Sequence, residues 1–161
     1  LTARKSRATR VKGVDELPVD AKFIGKQYPP FVYEVGREKI KEFAKAIGEK
    51  NPLYLDEEAA KKGPHGDIVA PPTFASLYAG GPVGEMLYDK ELALNLMMLV
   101  HGEQDFEFFE VARAGDTMTT NCRISEISEK SGKSFVTAET MTTNQHGRPV
   151  VKARWTFVIR G

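Results

Sequence analysis

The stretch GEKNPLY, residues 48–54, gathers a carboxylate at Glu49, an amide at Asn51 and a phenol at Tyr54. A carboxylate so placed can act as a general acid or base. A phenol titrates at about 10, so Tyr54 is a hydrogen-bond donor and a poor proton shuttle at neutral pH. Asn51 before Pro52 is a turn-former, because its side chain can close on the backbone and a residue before proline avoids helical angles. Each group also has a plainer use: Glu49 fits a solvated helix end and Tyr54 a packed ring. A second constellation, His101, Glu103 and Asp105, alternates along a strand-like stretch and would share one face. That spacing suits a metal, but a row of acids reads more simply as a surface or interface strand that includes His101. His65 and His146 stand beside glycines in loop sequences and carry no assigned role. No serine or cysteine sits in a nucleophile elbow. No glycine-rich phosphate loop follows a strand, so neither a metal nor a cofactor is called for.

The elements that must hold these groups show in the apolar periodicity. Phe31, Tyr33 and Val35 alternate as in a strand. The pattern then switches: Ile40, Phe43, Ala44 and Ile47 fall at helical spacing, and Gly48 is a plausible stop. A short helix follows in LDEEAAKK with Asp56 as its cap, and GPHGD is loop. Pro72 can open a helix at its first turn, where a missing N–H costs nothing. A central helix is therefore expected over Thr73–Leu87, with Phe74, Leu77 and Tyr78 on one face and small residues from Ala75 to Gly81 for close packing. Gly80-Gly81-Pro82 should break or kink it. From Leu96 the chain reads as strands. Val100, Gln104, Phe106 and Phe108 are expected on one face of the first, opposite His101, Glu103, Asp105 and Glu107. Met118, Thr120, Cys122 and Ile124 share a face of the next, and Val151, Ala153, Trp155, Phe157 and Ile159 share a face of the last. EKSGK and NQHGR are hairpin connections, and Gly115-Asp116 is a turn. The order indicates an α+β domain whose single sheet buries the long helix and leaves edges open to a second copy.

The 161 residues suffice for one domain with a real core. The formal net charge of +1 gives no reason to expect nucleic acid. Residues 1–22 form a separate unit, because Arg4, Lys5, Arg7, Arg10 and Lys12 occur there without an intervening acid. This basic arm reads as solvated or as clasping a partner, with phosphate binding as the alternative; no apolar run follows it as a targeting peptide would require. Cys122 is the only cysteine, which excludes an intrachain disulfide or a thiolate cluster. No stretch approaches the roughly 18–20 apolar residues of a membrane span, so a cytoplasmic protein is expected.

The blocks GREKIKEFAKAIGEKNPLYLDEEAA, IVAPPTF, HGEQDFEFFEVARAGDTM and TTNQHGRPVVKARWTFVIR, taken in order, resemble the MaoC-like (R)-specific hydratases and dehydratases. The branch most similar is the amino-terminal, fatty-acid-synthase-like dehydratase domain, and the resemblance spans about residues 23–160. It implies a hot-dog fold, an antiparallel sheet wrapped around a central helix, over residues 23–161. It also implies acyl thioesters of coenzyme A or acyl carrier protein as substrates, with water added to a trans-2-enoyl group or removed from a (3R)-hydroxyacyl group. Such chemistry needs a base for the α proton, an acid for the leaving hydroxyl, and donors for the enolate oxygen. In the family these come from an Asp and a His in a G-D-x-N-P-L-H loop and from the Gly amide of a downstream A-H-G.

Here Gly48, Asn51, Pro52 and Leu53 match that loop, but Glu49 stands at the Asp position and Tyr54 at the His position. Pro72, which has no N–H, stands where the Gly amide belongs. Each departure touches a different part of the reaction. The resemblance thus implies an acyl-binding subunit, forming a homodimer or a hetero-oligomer with a MaoC-like chain that keeps the Asp/His loop. Two alternatives remain open: a self-sufficient hydratase using Glu49 and Tyr54, and a non-catalytic acyl-thioester-binding or regulatory protein. The pocket is expected between the central helix, the 47–57 loop and a neighbouring subunit. Asn51, Pro72, Thr73, Phe74, Leu77, Tyr78 and Met86 are the candidate ligand contacts.

Overall fold

The computed structural model describes residues 19–160, and most of the basic arm, residues 1–18, lies outside them. After a 3₁₀ turn at Ala21–Phe23 come β1 (Gln27–Glu34), α1 (Arg37–Ala46), α2 (Pro52–Leu55), α3 (Glu57–Lys62), a second 3₁₀ turn (Pro72–Phe74), α4 (Ala75–Ala79) and α5 (Gly81–Leu87). Four strands follow: β2 (Leu99–Phe108), β3 (Thr117–Lys130), β4 (Lys133–Thr143) and β5 (Pro149–Arg160). They form one antiparallel sheet in the order β1-β3-β4-β5-β2. This is the α+β hot-dog arrangement, with α4 and α5 packed against the sheet. Pro29 and Pro30 cannot donate to a ladder and sit on an edge strand, at a bulge in the β1–β3 pairing.

The inner face is set by residue parity. Met118, Thr120, Cys122 and Ile124 of β3 are buried, as are Val151, Ala153, Trp155, Phe157 and Ile159 of β5. The helical segment meets them through small residues. A Cβ on Gly80 would lie 2.6 Å from the Ser76 carbonyl oxygen and 3.0 Å from the Trp155 ring, and one on Gly81 would strike the Phe31 ring. Phe74 is completely buried. Its ring meets Phe43 edge-on at 5.3 Å and Tyr33 at 6.2 Å, so one side chain joins the central segment to α1 and β1. Each such pair is worth roughly 0.5–1.5 kcal/mol beyond the area it buries.

The expected central helix is split in two, and the cause is chemical. In an unbroken helix the N–H of residue 82 would bond to the Tyr78 carbonyl; Pro82 has none to give. The hydroxyl of Thr120 supplies the donor instead, 3.0 Å from that carbonyl, and itself pairs with the Thr142 hydroxyl at 2.7 Å. Two polar residues on the apolar face of the sheet therefore close the end of α4.

One expectation about β2 is corrected. A bulge between His101 and Glu103 changes the parity, so that His101 pairs with Phe157, Gln104 with Trp155, and Val100 with Val158. His101 thus shares the helix-side face with Gln104 and Phe106, while Val100 turns to the other. Its ring stacks on Phe157 at 5.1 Å and on Trp155 at 5.9 Å. The triad His101, Glu103 and Asp105 is split between two faces and cannot close on one ion.

The close approach at Gly81 gives a first test. Gly81→Ala should destabilise the fold by about 1–3 kcal/mol through overpacking against Phe31. Gly84→Ala, with no atom within 4 Å of the added carbon, should be neutral or stabilising by up to about 1 kcal/mol, as a helical glycine replaced by alanine usually is. Urea denaturation of the two variants would show the opposite signs.

Candidate functional site

The loop holding Glu49 and Tyr54 is shaped by backbone hydrogen bonds. Gly48 takes φ +75°, Glu49 N–H donates to the Ala44 carbonyl at 2.8 Å and Gly48 N–H to that of Lys45 at 3.1 Å. This is the Schellman closure of α1, which a glycine at the left-handed position permits. Asn51 then caps α2, its side chain accepting from Leu53 N–H at 3.0 Å, with Pro52 in the first turn. Asp56 ends α2 and caps α3 through Glu58 and Ala59 N–H, at 2.9 and 3.1 Å. Glu49 and Tyr54 are both half-buried, and neither side chain has a hydrogen-bond partner among the described residues. The Tyr54 ring leans on the core. Asn51 is exposed and holds the turn.

This loop is tied to a second one. Val69 N–H donates to the Leu53 carbonyl at 3.3 Å. Val69 also bridges to Arg113, flanked by Ala70 N–H to the Ala112 carbonyl at 2.8 Å and Ala114 N–H to the Ile68 carbonyl at 3.1 Å. The short ladder sets Pro71 and Pro72 beside residues 109–112. Between them opens a cavity of about 300 Å³, lined by Ala70, Pro71, Pro72, Tyr78, Phe108, Phe109, Glu110, Val111 and Ala112. Its wall is apolar except for Tyr78 and Glu110. Neither proline can donate, so Thr73 is the first residue of the turn with an N–H; Phe74 N–H is already spent on the Pro71 carbonyl at 2.9 Å.

Of the expected contacts, Pro72 and Tyr78 line the cavity. Thr73 and Leu77 are exposed beside it. Phe74 and Met86 are wholly buried, placed in the core rather than on the cavity wall. Glu49, Asn51 and Tyr54 stand in the adjoining loop and do not border the cavity in this chain. The segment Phe108–Ala112 was missed by sequence reasoning. Its signal was the doubled Phe108-Phe109, which interrupts strand alternation just before a turn. Glu110 is anchored there by Asn144, whose side-chain amide donates to it at 3.3 Å, and by Arg148 at 3.6 Å.

Charge holds the frame in place. Arg37 grips Asp67 with two hydrogen bonds, at 2.5 and 2.9 Å, and Lys41 bonds Glu57 at 2.8 Å. These contacts join α1 to α3 and to the 63–67 loop. The Arg37 guanidinium, helped by Ile68 N–H, pulls the Asp67 carboxyl down to about 2. Burial pushes the Tyr78 phenol well above its ordinary value, and the charge of Asp116 adds to the effect. Tyr78 is therefore a protonated donor at any physiological pH.

Residues 22–153 match the model of the FAS1-like dehydratase domain region, and the chain belongs to that family. It is a MaoC-like, hot-dog-fold protein of the hydratase and dehydratase group. It is 42% identical over 146 residues to a UPF0336 protein of Saccharopolyspora erythraea, covering 90% of this chain and 94% of that one. Among solved structures it is similar to the HadBC (3R-hydroxyacyl-ACP dehydratase) complex from Mycobacterium tuberculosis. There the TM-score is 0.76 and the identity 28%, over 88% of this chain and 99% of that one. A MaoC-like dehydratase gives a TM-score of 0.77 at 26% identity, over 86% of this chain and 42% of the other.

The Arg37–Asp67 clamp predicts an acid dependence. A carboxyl held below its ordinary value of 3.8 contributes stability that is complete above that value and is lost as pH falls through about 2. Asp67→Asn should therefore be less stable than the parent at pH 6, with the gap closing as pH falls from about 5 to about 2. Denaturant titrations across that range would show a constant gap if the clamp contributed nothing.

Proposed function

We propose that this chain is the acyl-binding subunit of a (3R)-hydroxyacyl-thioester dehydratase or enoyl-thioester hydratase, working with a second MaoC-like chain that carries the Asp/His loop. The observation that carries this reading is the tandem Pro71-Pro72 in the cavity wall. Where the reaction needs a main-chain donor for enolate charge, both residues lack an N–H, and such a donor is worth on the order of 3 kcal/mol. The cavity itself persists, apolar and large enough for a short acyl chain. The neighbouring loop keeps Gly48, Asn51, Pro52 and Leu53 of the family pattern but offers a longer carboxylate at Glu49 and a phenol at Tyr54. The HadBC (3R-hydroxyacyl-ACP dehydratase) named above is a complex, which supports a division of labour here. The ligand on this reading is an acyl thioester of coenzyme A or acyl carrier protein.

The unpartnered, half-buried carboxylate of Glu49 favours one other reading, a hydratase active alone. Purification of the tagged chain from its native cells decides between them. A second MaoC-like chain with Asp and His in its loop should accompany it. The isolated chain should hydrate a trans-2-enoyl thioester at least about 10²-fold more slowly than the pair, the usual size of a lost acid–base contribution. Glu49→Gln should leave the rate of the pair nearly unchanged. Robust turnover by the isolated chain, abolished in Glu49→Gln, would overturn the two-subunit reading.

A further inference from the structure

Tyr78 occupies an unusual position for a polar side chain. Only 2% of it is exposed, yet it lines the cavity. Among the described residues its hydroxyl has no hydrogen-bond partner, and none of them leaves a side-chain nitrogen or oxygen both sealed from open space and unpaired. The phenolic oxygen is therefore not sealed from open space, and Tyr78 is among the residues that line the cavity. A buried hydroxyl left without a partner is costly, whereas one facing a ligand site is a donor in waiting.

The rest of the lining indicates what it awaits. The other polar group is the carboxylate of Glu110, and none of the described lining residues is basic. Arg148, 3.6 Å from Glu110, is 69% exposed, so solvent screens its charge. Asp116 adds negative potential at Tyr78. A free carboxylate entering here would meet like charge with no cation to receive it. A neutral oxygen acceptor at the end of an apolar chain would meet one donor and an apolar wall.

We propose that the Tyr78 hydroxyl is the recognition group of this cavity, donating a hydrogen bond to the uncharged carbonyl oxygen of an acyl thioester, and that Glu110 excludes the corresponding free acid. The inference rests on the acyl-binding reading above and adds the residue that distinguishes thioester from acid. Tyr78 also takes over, from the side chain, the donor role that the prolines removed from the main chain. It is a binding residue and moves no proton.

A ligand-by-variant cycle tests this on the oligomer as purified, using S-hexanoyl-pantetheine, S-hexyl-pantetheine, which lacks the carbonyl, and hexanoate. The parent should bind the acyl compound roughly tenfold more tightly than the alkyl one, the ordinary worth of a single neutral hydrogen bond. In Tyr78→Phe that advantage should vanish through loss of acyl affinity alone, with alkyl affinity and melting temperature held. Hexanoate should bind the parent far more weakly than the thioester, and Glu110→Gln should narrow that gap whether or not Tyr78→Phe folds. An acyl advantage that survives in Tyr78→Phe overturns the proposal and leaves the acyl-binding reading standing, as does equal binding of hexanoate and thioester. No binding of either pantetheine compound by the parent removes both.

Discussion

The arrangement of this molecule depends on a carbonyl without its usual donor. Pro82 denies an N–H to the Tyr78 carbonyl, so the central segment cannot run as one rod across the sheet. Thr120 accepts the consequence, placing a buried hydroxyl against the end of α4 on a face that also carries Thr140 and Thr142. The Thr120 bond fixes the last turn of α4 at one spot on β3. Because Tyr78 lies in that turn, the bond that ends the helix also aims the phenol. Gly80 and Gly81 are required by the same approach, since any side chain there would meet Trp155 or Phe31.

The loop between α1 and α3 shows that shape and chemistry depend on different residues. Its path is specified by Gly48, Asn51, Pro52 and Asp56, each with an identifiable hydrogen bond or dihedral requirement. Glu49 and Tyr54 contribute nothing to that path beyond a packed ring. A loop so built can hold its course while the side chains it displays are exchanged.

Much of this was legible from residues alone. The switch from alternation to helical spacing located β1 and α1, Asp56 announced α3, and glycines at positive φ marked both late hairpins, with Gly132 at +69° and Gly147 at +73°. The break at Gly80-Gly81-Pro82 was legible because glycine and proline act locally. What escaped were effects that need a partner strand. The bulge after His101 reverses parity for half of β2, and only the pairing with β5 reveals it. Phe74 and Met86 carry the same apolar signal as a pocket lining, and their burial is decided by neighbours distant in the chain. Tyr78 was found on its helical face, while Glu110 was hidden by a stretch with no period.

The partnership between residues 68–70 and 112–114 has a consequence for what the cavity can become. Its width is set where one peptide unit meets another, across Ala70 and Ala112. Side chains at Phe108, Phe109 and Val111 can be enlarged or trimmed without disturbing that spacing. The volume of the cavity and the spacing of its frame are thus separable traits, and substitution can retune the first while the second stays fixed by the backbone.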